Sequence, residues 1–181
     1  MYLYIFSTAI ILIICVLIAT ISYQNGTYFK STHRSFFSVH FDKGAFGEYN
    51  IYMYLRGYEA NGAKLLFNCY LPKNNNETSE IDVIMIYRSG IYVFESKDYG
   101  GWIFGSESNK TWTQTLPNGK TSQKLKFYNP IMQNRTHIKW LEKHVENTVP
   151  LHNIVVFSNR CGGCGLFFRH PHLSSFCILE G

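Results

Sequence analysis

Residues 80–97 carry the pattern that most restricts how this chain can fold. Two runs rich in β-branched and aromatic residues, 81–87 and 91–94, are separated by a three-residue break that ends in Gly90. Glycine supplies the backbone freedom that a tight reversal needs, so the pattern predicts a β-hairpin. Both runs are almost continuously apolar, which is typical of strands buried on both faces. The hairpin is therefore expected in the middle of a sheet that is covered by helices.

Three charged residues interrupt this apolar hairpin at its open end. Asp82 begins the first strand, while Glu95 and Lys97 end the second. Because an antiparallel hairpin brings these two ends side by side, two carboxylates and one ammonium group are expected to converge at one edge of the sheet. Charges buried in an apolar setting are costly unless they are paired or bound to a metal.

The spacing of these charges resembles that of the PD-(D/E)xK nucleases, and further motifs resemble the nuclease-related domain (NERD) family within them. The similarity covers residues 44–160. Its motifs follow the order of the family: Gly47-Glu48, then Glu80-Ile81-Asp82, then Glu95-Ser96-Lys97 together with the Tyr99-Gly100-Gly101 that follows it, and finally Asn129-Pro130-Ile131-x-Gln133-Asn134. A single Glu-x-Lys would carry little weight, whereas four linked motifs in sequence are specific.

The resemblance implies a divalent metal site that holds Mg²⁺ or Mn²⁺. The implied ligands are three carboxylates and one backbone carbonyl: Asp82, Glu95, Glu48 and the carbonyl of Ser96. Lys97 would position the attacking water, and Gln133 would lie near the metal. Two of these residues have simpler interpretations, because Glu48 suits the first turn of any helix and Gln133 could satisfy a core hydrogen bond.

Residues 2–23 contain no charged side chain and are dominated by Ile, Leu, Val and Ala. As a helix they would span about 33 Å, enough to cross a bilayer core. A cleaved signal peptide fits less well, since no basic region precedes the run and no small-residue cleavage site follows it. Lys30 and Arg34 follow the helix, so the positive-inside rule places the carboxy-terminal domain in the cytoplasm.

The chain is expected to have four parts and an α/β fold. The parts are a transmembrane helix (2–23), a juxtamembrane linker (24–42), a nuclease-like domain (43–160) and a Cys/His-containing tail (161–181). Within the domain the predicted order is a helix from 43 to 57, three strands, a helix from 130 to about 147 that Asn129 caps, and a closing strand at 154–158. This order indicates a mixed central sheet flanked by helices, the restriction-endonuclease-like core of the superfamily that the chain resembles.

Charge also bears on the partner of this domain. There are 17 Lys and Arg against 12 Asp and Glu, giving a formal net charge of +5. A basic segment holds Lys120, Lys124 and Lys126, which is either a solvated face or an edge that contacts phosphates, with Tyr99 and Trp102 available to stack on bases. A nucleic acid, either DNA or RNA, is the expected partner.

The tail suggests a different chemistry. Cys161 and Cys164 form a Cys-x2-Cys pair, with His170, His172 and Cys177 within loop reach. The spacing matches no familiar zinc finger, so stoichiometric zinc is not expected. Three functions therefore remain open: a membrane-anchored metal-dependent nuclease, a catalytically inactive membrane-tethered module that binds nucleic acid or protein, and, as a weaker alternative, a thiol redox or zinc protein.

Overall fold

The computed structural model describes residues 2–146, 148–158, 161–164 and 176–180. Four helices open the chain: α1 (Tyr2–Asn25), α2 (Thr27–Thr32), α3 (Phe36–Phe41) and α4 (Lys43–Leu55). Residues Tyr4–Asn25 of α1 have a mean hydropathy of 2.7 in their most apolar stretch, which makes this helix long and apolar enough to cross a membrane. A short 3-10 helix, Arg56–Asn61, follows α4.

The segment expected to be a linker, residues 24–42, is helical and packed. Tyr28 of α2 and Val39 of α3 are both fully buried. They belong to the same apolar cluster as Val83 and Phe94 of the predicted hairpin. The sequence did not indicate this packing, because two six-residue helices are too short to show a helical period.

The central sheet contains five strands in the order β1-β2-β3-β7-β9. Their bounds are β1 Lys64–Pro72, β2 Thr78–Tyr87, β3 Gly90–Lys97, β7 Leu151–Ser158 and β9 Phe176–Glu180. The pairs β1-β2, β2-β3 and β7-β9 are antiparallel, whereas β3 and β7 are parallel. The sheet is therefore mixed, and the hairpin of β2 and β3 lies within it as predicted.

Helices cover both faces of this sheet. On one face α4 contributes Ile51 and Tyr52 to the cluster that contains Val83 and Phe94. On the other face lies α5 (Pro130–Leu141), whose Leu141 packs with Ile84 and Val93. The expected fold class, a mixed sheet flanked by helices after an apolar helix, is confirmed.

Buried asparagines fix α5 in place. Asn129 accepts hydrogen bonds from the amides of Ile131 and Met132, which confirms the predicted helix cap. One turn later, the side-chain amide of Asn134 donates to the carbonyl of Val93 at 2.7 Å. The α-helix ends at Leu141 and tightens into a 3-10 turn, Glu142–His144, several residues before the predicted end near 147.

A second sheet holds four strands in the order β6-β5-β4-β8. The strands are β4 Gly101–Phe104, β5 Thr111–Asn118, β6 Thr121–Tyr128 and β8 Cys161–Cys164. It packs on the central sheet through Ile103, Trp112, Ile131, Val155 and Phe157. The basic segment is therefore a strand, β6, that pairs with β5 along its whole length.

The buried position of Tyr28 generates a stability prediction. Because Tyr28 fills the core beneath α4 and contacts the rings of Tyr49, Tyr52 and Phe67, Tyr28→Ala should lower the free energy of unfolding by about 3–5 kcal/mol. Denaturation of the full chain in detergent micelles measures this loss. Phe41→Ala is the control, since that side chain is 86% exposed and should change stability by less than about 0.5 kcal/mol. Equal effects of the two substitutions would contradict the packing of residues 24–42.

Candidate functional site

Glu48 reaches the site because Gly47 precedes it. A Cβ atom on Gly47 would collide with the hydroxyl of Ser96, so only glycine lets α4 approach the end of β3 this closely. Glu48 Oε2 accepts a hydrogen bond from the Tyr28 hydroxyl at 3.2 Å. The segment between α1 and the domain thus contributes directly to the surroundings of the site, which the sequence did not indicate.

Asp82 lies where the central ladders are interrupted. The β1-β2 ladder pairs Phe67 with Val83 and Cys69 with Ile81 but passes over Asn68 and Asp82, and Asn68 has a φ of 50°. Asp82 Oδ2 accepts a hydrogen bond from the backbone amide of Ser96 at 2.8 Å. This bond fastens the middle of β2 to the end of β3, because β2 begins at Thr78, four residues before Asp82, and not at Asp82 as expected.

Glu95 and Lys97 form a buried ion pair. Lys97 Nζ lies 2.6 Å from Glu95 Oε1, and the two side chains are 16% and 2% exposed. Lys97 Nζ also donates to Gln133 Oε1 at 3.1 Å. The structure therefore brings together three of the predicted site residues from β3 and α5. The sequence left open whether the converging charges pair with one another or bind a metal, whereas here the lysine compensates the charge of Glu95 directly.

Two residues that the sequence left without a role complete this cluster. His137 Nε2 lies 3.2 Å from Glu95 Oε2, and His137 Nδ1 is hydrogen-bonded to the Ser79 hydroxyl at 2.7 Å. The His137 and Glu95 atoms are close but not aligned as a hydrogen bond. His137 follows Gln133 by four residues, so helical spacing could have placed both on one face of α5.

The surroundings of Glu48 and Asp82 disfavour the charged forms of these two carboxyl groups. Burial, and then repulsion by Asp82, raise the pKa of Glu48 from 4.5 to about 7, although the Tyr28 hydrogen bond opposes the shift. Burial, and then repulsion by Glu95, raise the pKa of Asp82 from 3.8 to about 6. The Ser96 amide, Lys97 and His137 oppose this second shift. The site therefore concentrates more negative charge than its nearby cations balance.

These groups suit a hard divalent cation by their chemistry. Mg²⁺ and Mn²⁺ prefer carboxylate and carbonyl oxygens, which Asp82, Glu95, Glu48 and Ser96 supply. Glu95 Oε2 is a buried acceptor without an aligned hydrogen-bond donor. Among the residues that the structure describes, no three His, Cys, Asp or Glu side chains already form a metal cage. The donor set fits the ion, while the ion pair with Lys97 occupies Glu95 Oε1.

A cleft of about 500 Å³ opens beside these groups. Its wall includes the end of β3, the start of α4 and part of β5: Lys43, Gly44, Ser96, Lys97, Asp98, Tyr99, Gly100, Gln114 and Leu116. Because Ser96 and Lys97 belong both to this wall and to the charged cluster, a ligand in the cleft would meet the predicted catalytic groups.

Other candidates from the sequence have different positions. Tyr99 packs edge to face on Phe127, with ring centroids 4.7 Å apart, and also lines the cleft, so its stacking on a base stays a prediction. Trp102 is 52% exposed and remains available. Cys161 and Cys164 lie on β8, whereas His170 and His172 lie outside the described residues. Zinc binding by the tail therefore stays a question for measurement.

Comparisons with known proteins agree with the resemblance seen in the sequence. Residues 43–158 match the family model described as a nuclease-related domain, NERD, which belongs to the PD-(D/E)xK-like nuclease superfamily. An uncharacterized protein of Bacillus anthracis is 34% identical over 119 residues, which are 66% of this chain and 54% of that protein. The chain thus spans about half the length of this relative. No solved structure matches the chain.

The raised pKa values of Glu48 and Asp82 predict how stability depends on pH without divalent cations. The folded protein holds these two protons more tightly than the unfolded chain does. The stabilisation of the folded state by these two bound protons is therefore complete below about pH 4 and is lost as the pH rises through about 6 to 7. Glu48→Gln and Asp82→Asn remove this loss, so in EDTA the Tm of each variant relative to the parent should increase between pH 4 and 8.

The control for this pH series is Glu142→Gln, because Glu142 is an exposed carboxylate beyond α5. Its Tm should follow that of the parent at every pH. A parental pH profile in Glu48→Gln and Asp82→Asn would show that neither carboxyl has a raised pKa in the folded protein.

Proposed function

The chain belongs to the nuclease-related domain family, and from this membership we propose that it hydrolyses phosphodiester bonds of DNA or RNA with the help of a divalent cation. The observation that carries the proposal is the cluster at the end of β3. There Lys97 contacts both Glu95 and Gln133, and Asp82 and Glu48 add two carboxyl groups with raised pKa values. These residues line up with the motifs by which the sequence resembles the family.

Mg²⁺ or Mn²⁺ would be held by Asp82, Glu95 and the Ser96 carbonyl, with Glu48 in support. When bound, the cation would supply Lewis-acid polarisation of the phosphate and neutralise the charge that develops on it. Its charge would also favour the ionised forms of Asp82 and Glu48, whose pKa values burial, and then carboxylate repulsion, now raise. The cation would thus neutralise the same carboxylates that hold it.

Lys97 is the residue best placed to act on the substrate. An ammonium group has three N–H donors, of which Glu95 and Gln133 take two. The third is left for a phosphate oxygen or for the attacking water, and Lys97 lines the cleft where either would lie. Glu95 and Gln133 hold the ammonium group in one orientation, which lowers the entropy cost of positioning it for reaction.

A catalytically inactive binding module is the second candidate. The observation in its favour is that Glu95 already contacts Lys97 through Oε1 and His137 through Oε2. A carboxylate held in this way could serve the stability of the domain without binding a cation. The two candidates differ in turnover, so hydrolysis is the decisive measurement.

We also propose that α1 anchors the protein in a membrane with the carboxy-terminal domain in the cytoplasm. The proposal rests on the apolar length of α1 and on Lys30 and Arg34, which follow it. Alkaline phosphatase fused after Gly181 should then be inactive, and green fluorescent protein at the same place should fluoresce. An active phosphatase fusion would reverse the orientation.

Removal of the site residues should abolish hydrolysis without unfolding the protein. The full chain in micelles should cleave labelled single- or double-stranded DNA or RNA with Mg²⁺ or Mn²⁺. Asp82→Asn keeps the shape of the side chain but removes its charge, and Lys97→Met removes the ammonium group. Each should lower the cleavage rate by about 10²–10⁴-fold. The matched exposed controls, Glu142→Gln and Lys139→Met, should cleave at the parental rate.

A metal titration checks the same assignment without turnover. Mg²⁺ at about 100 times its Kd should stabilise the parent by about 2.7 kcal/mol, and Asp82→Asn much less. Cleavage that persists in EDTA would contradict the role of the cation. Absence of cleavage on all four substrates, together with retained binding of nucleic acid, would favour the binding module.

A further inference from the structure

The outer face of the second sheet is the largest feature that the candidate site does not use. Strand register defines this face, because directly opposed residues in antiparallel strands point to the same side. Trp102 is opposite Thr115, which is opposite Lys124. In the next row Phe104 is opposite Thr113, and Thr113 is opposite Lys126. Residues on the inner face, such as Ile103 and Trp112, are buried in the core.

Aromatic side chains on this face are open to solvent. Trp102 is 52% exposed, Phe104 is 51% exposed, and Tyr128, at the far end of β6, is 46% exposed. Trp102 and Phe104 lie two residues apart on one strand, so their Cα atoms are separated by about 6.7 Å. Large aromatic groups exposed side by side are costly to hydrate, and their exposure points to a ligand that stacks on them.

The positive charge of this face indicates what such a ligand carries. Lys124 and Lys126 are exposed on β6, about 10 Å from the aromatic strand at the usual strand spacing. Neither β4, β5 nor β6 contributes an acidic residue to either face. A row of rings beside a row of ammonium groups, separated by threonines, complements a chain of flat bases joined by phosphates.

We propose that the outer face formed by Trp102, Phe104, Lys124 and Lys126 binds a single-stranded polynucleotide, with bases stacked on β4 and phosphates on β6. Stacking on exposed rings requires unpaired bases, so a single strand is favoured over a duplex. The proposal builds on the nuclease function and specifies its substrate class. Only residues 98–100, three positions that line the cleft, separate Lys97 from the start of β4. A strand lying on this face would therefore be held beside the cleft.

Two other occupants fit the observations less well. Lysine is depleted at the centre of protein interfaces, yet each of the two rows that form this face ends in a lysine, Lys124 or Lys126. A membrane surface also attracts lysine and tryptophan, but α1 ends in the apolar cluster on the α4 face of the central sheet. The second sheet instead packs on that sheet at a different apolar cluster, to which α5 and β7 contribute.

Fluorescence anisotropy of the full chain in micelles, in EDTA to prevent metal-dependent cleavage, tests the proposal. The probes are labelled 20-nucleotide single strands of DNA and of RNA and a DNA duplex of the same length. Trp102→Thr with Phe104→Thr should weaken single-strand binding at least about tenfold, because each stacked base is lost while a strand-compatible residue remains. The control, Tyr58→Ala with Tyr70→Ala, removes two exposed rings elsewhere and should bind within twofold of the parent.

A second pair of variants reports on the phosphates and does not depend on the aromatic strand. Lys124→Gln with Lys126→Gln should reduce the slope of log Kd against log salt by about 1.4 for a single strand. Lys64→Gln with Lys139→Gln removes equal charge from exposed positions elsewhere and should leave the slope unchanged.

Each result supports or overturns single-strand binding by the outer face, independently of whether the protein cleaves nucleic acid. Single strands bound at least tenfold more tightly than the duplex, with loss in both outer-face variants, would support it. Parental affinity and salt slope in both variants would overturn it, even if the protein cleaves nucleic acid. Loss of binding to anionic lipid vesicles but not to single strands would assign the face to a membrane. Binding without cleavage would instead refute only the nuclease proposal. Preference for DNA or RNA follows from the two single-strand probes.

Discussion

The burial of Glu95 is the constraint on which much of this domain depends. A carboxylate that is only 2% exposed at the end of an apolar strand needs partners that arrive from more than one element. Lys97 comes from the same strand, and His137 comes from α5. The position of α5 is in turn fixed by the buried Asn134, which bonds the backbone of β3. The charged cluster is therefore complete only when this helix is docked on the sheet.

The carboxyl groups of the cluster differ in how their charge is compensated. Glu95 has a lysine against it, whereas Asp82 has one backbone amide and Glu48 has one tyrosine hydroxyl. Neighbouring carboxyl groups in unlike surroundings titrate at different pH, which is how one site can hold both a charged ligand and a protonated acid. Because their pKa values are raised to about 6 and about 7, Asp82 and Glu48 can exchange protons near neutral pH.

The sequence predicted those features that are encoded in local patterns. The hairpin, the Asn129 cap and the convergence of Asp82, Glu95 and Lys97 at the open end of the hairpin follow from local sequence patterns. Features that depend on contacts between distant residues could not be predicted. Tyr28 lies in a segment without a helical period and is buried by strands that follow much later in the chain. Tyr99 packs edge to face on Phe127 of β6. No role was predicted for His137, because only the fold brings Glu95 and Ser79 to its two ring nitrogens.

The end of α1 is part of the domain core, and this determines how the domain can move. Tyr23 is 4% exposed, packs on Tyr28 and donates a hydrogen bond to the carbonyl of Arg34 at 2.7 Å. Where α1 crosses a bilayer, no loose tether then lies between membrane and domain, and rotation about the helix axis is the main rigid-body freedom that remains. The cleft would stay at one height above the lipid. Encounters with a polymer would be governed by diffusion in two dimensions and by the few approach angles that this fixed geometry admits.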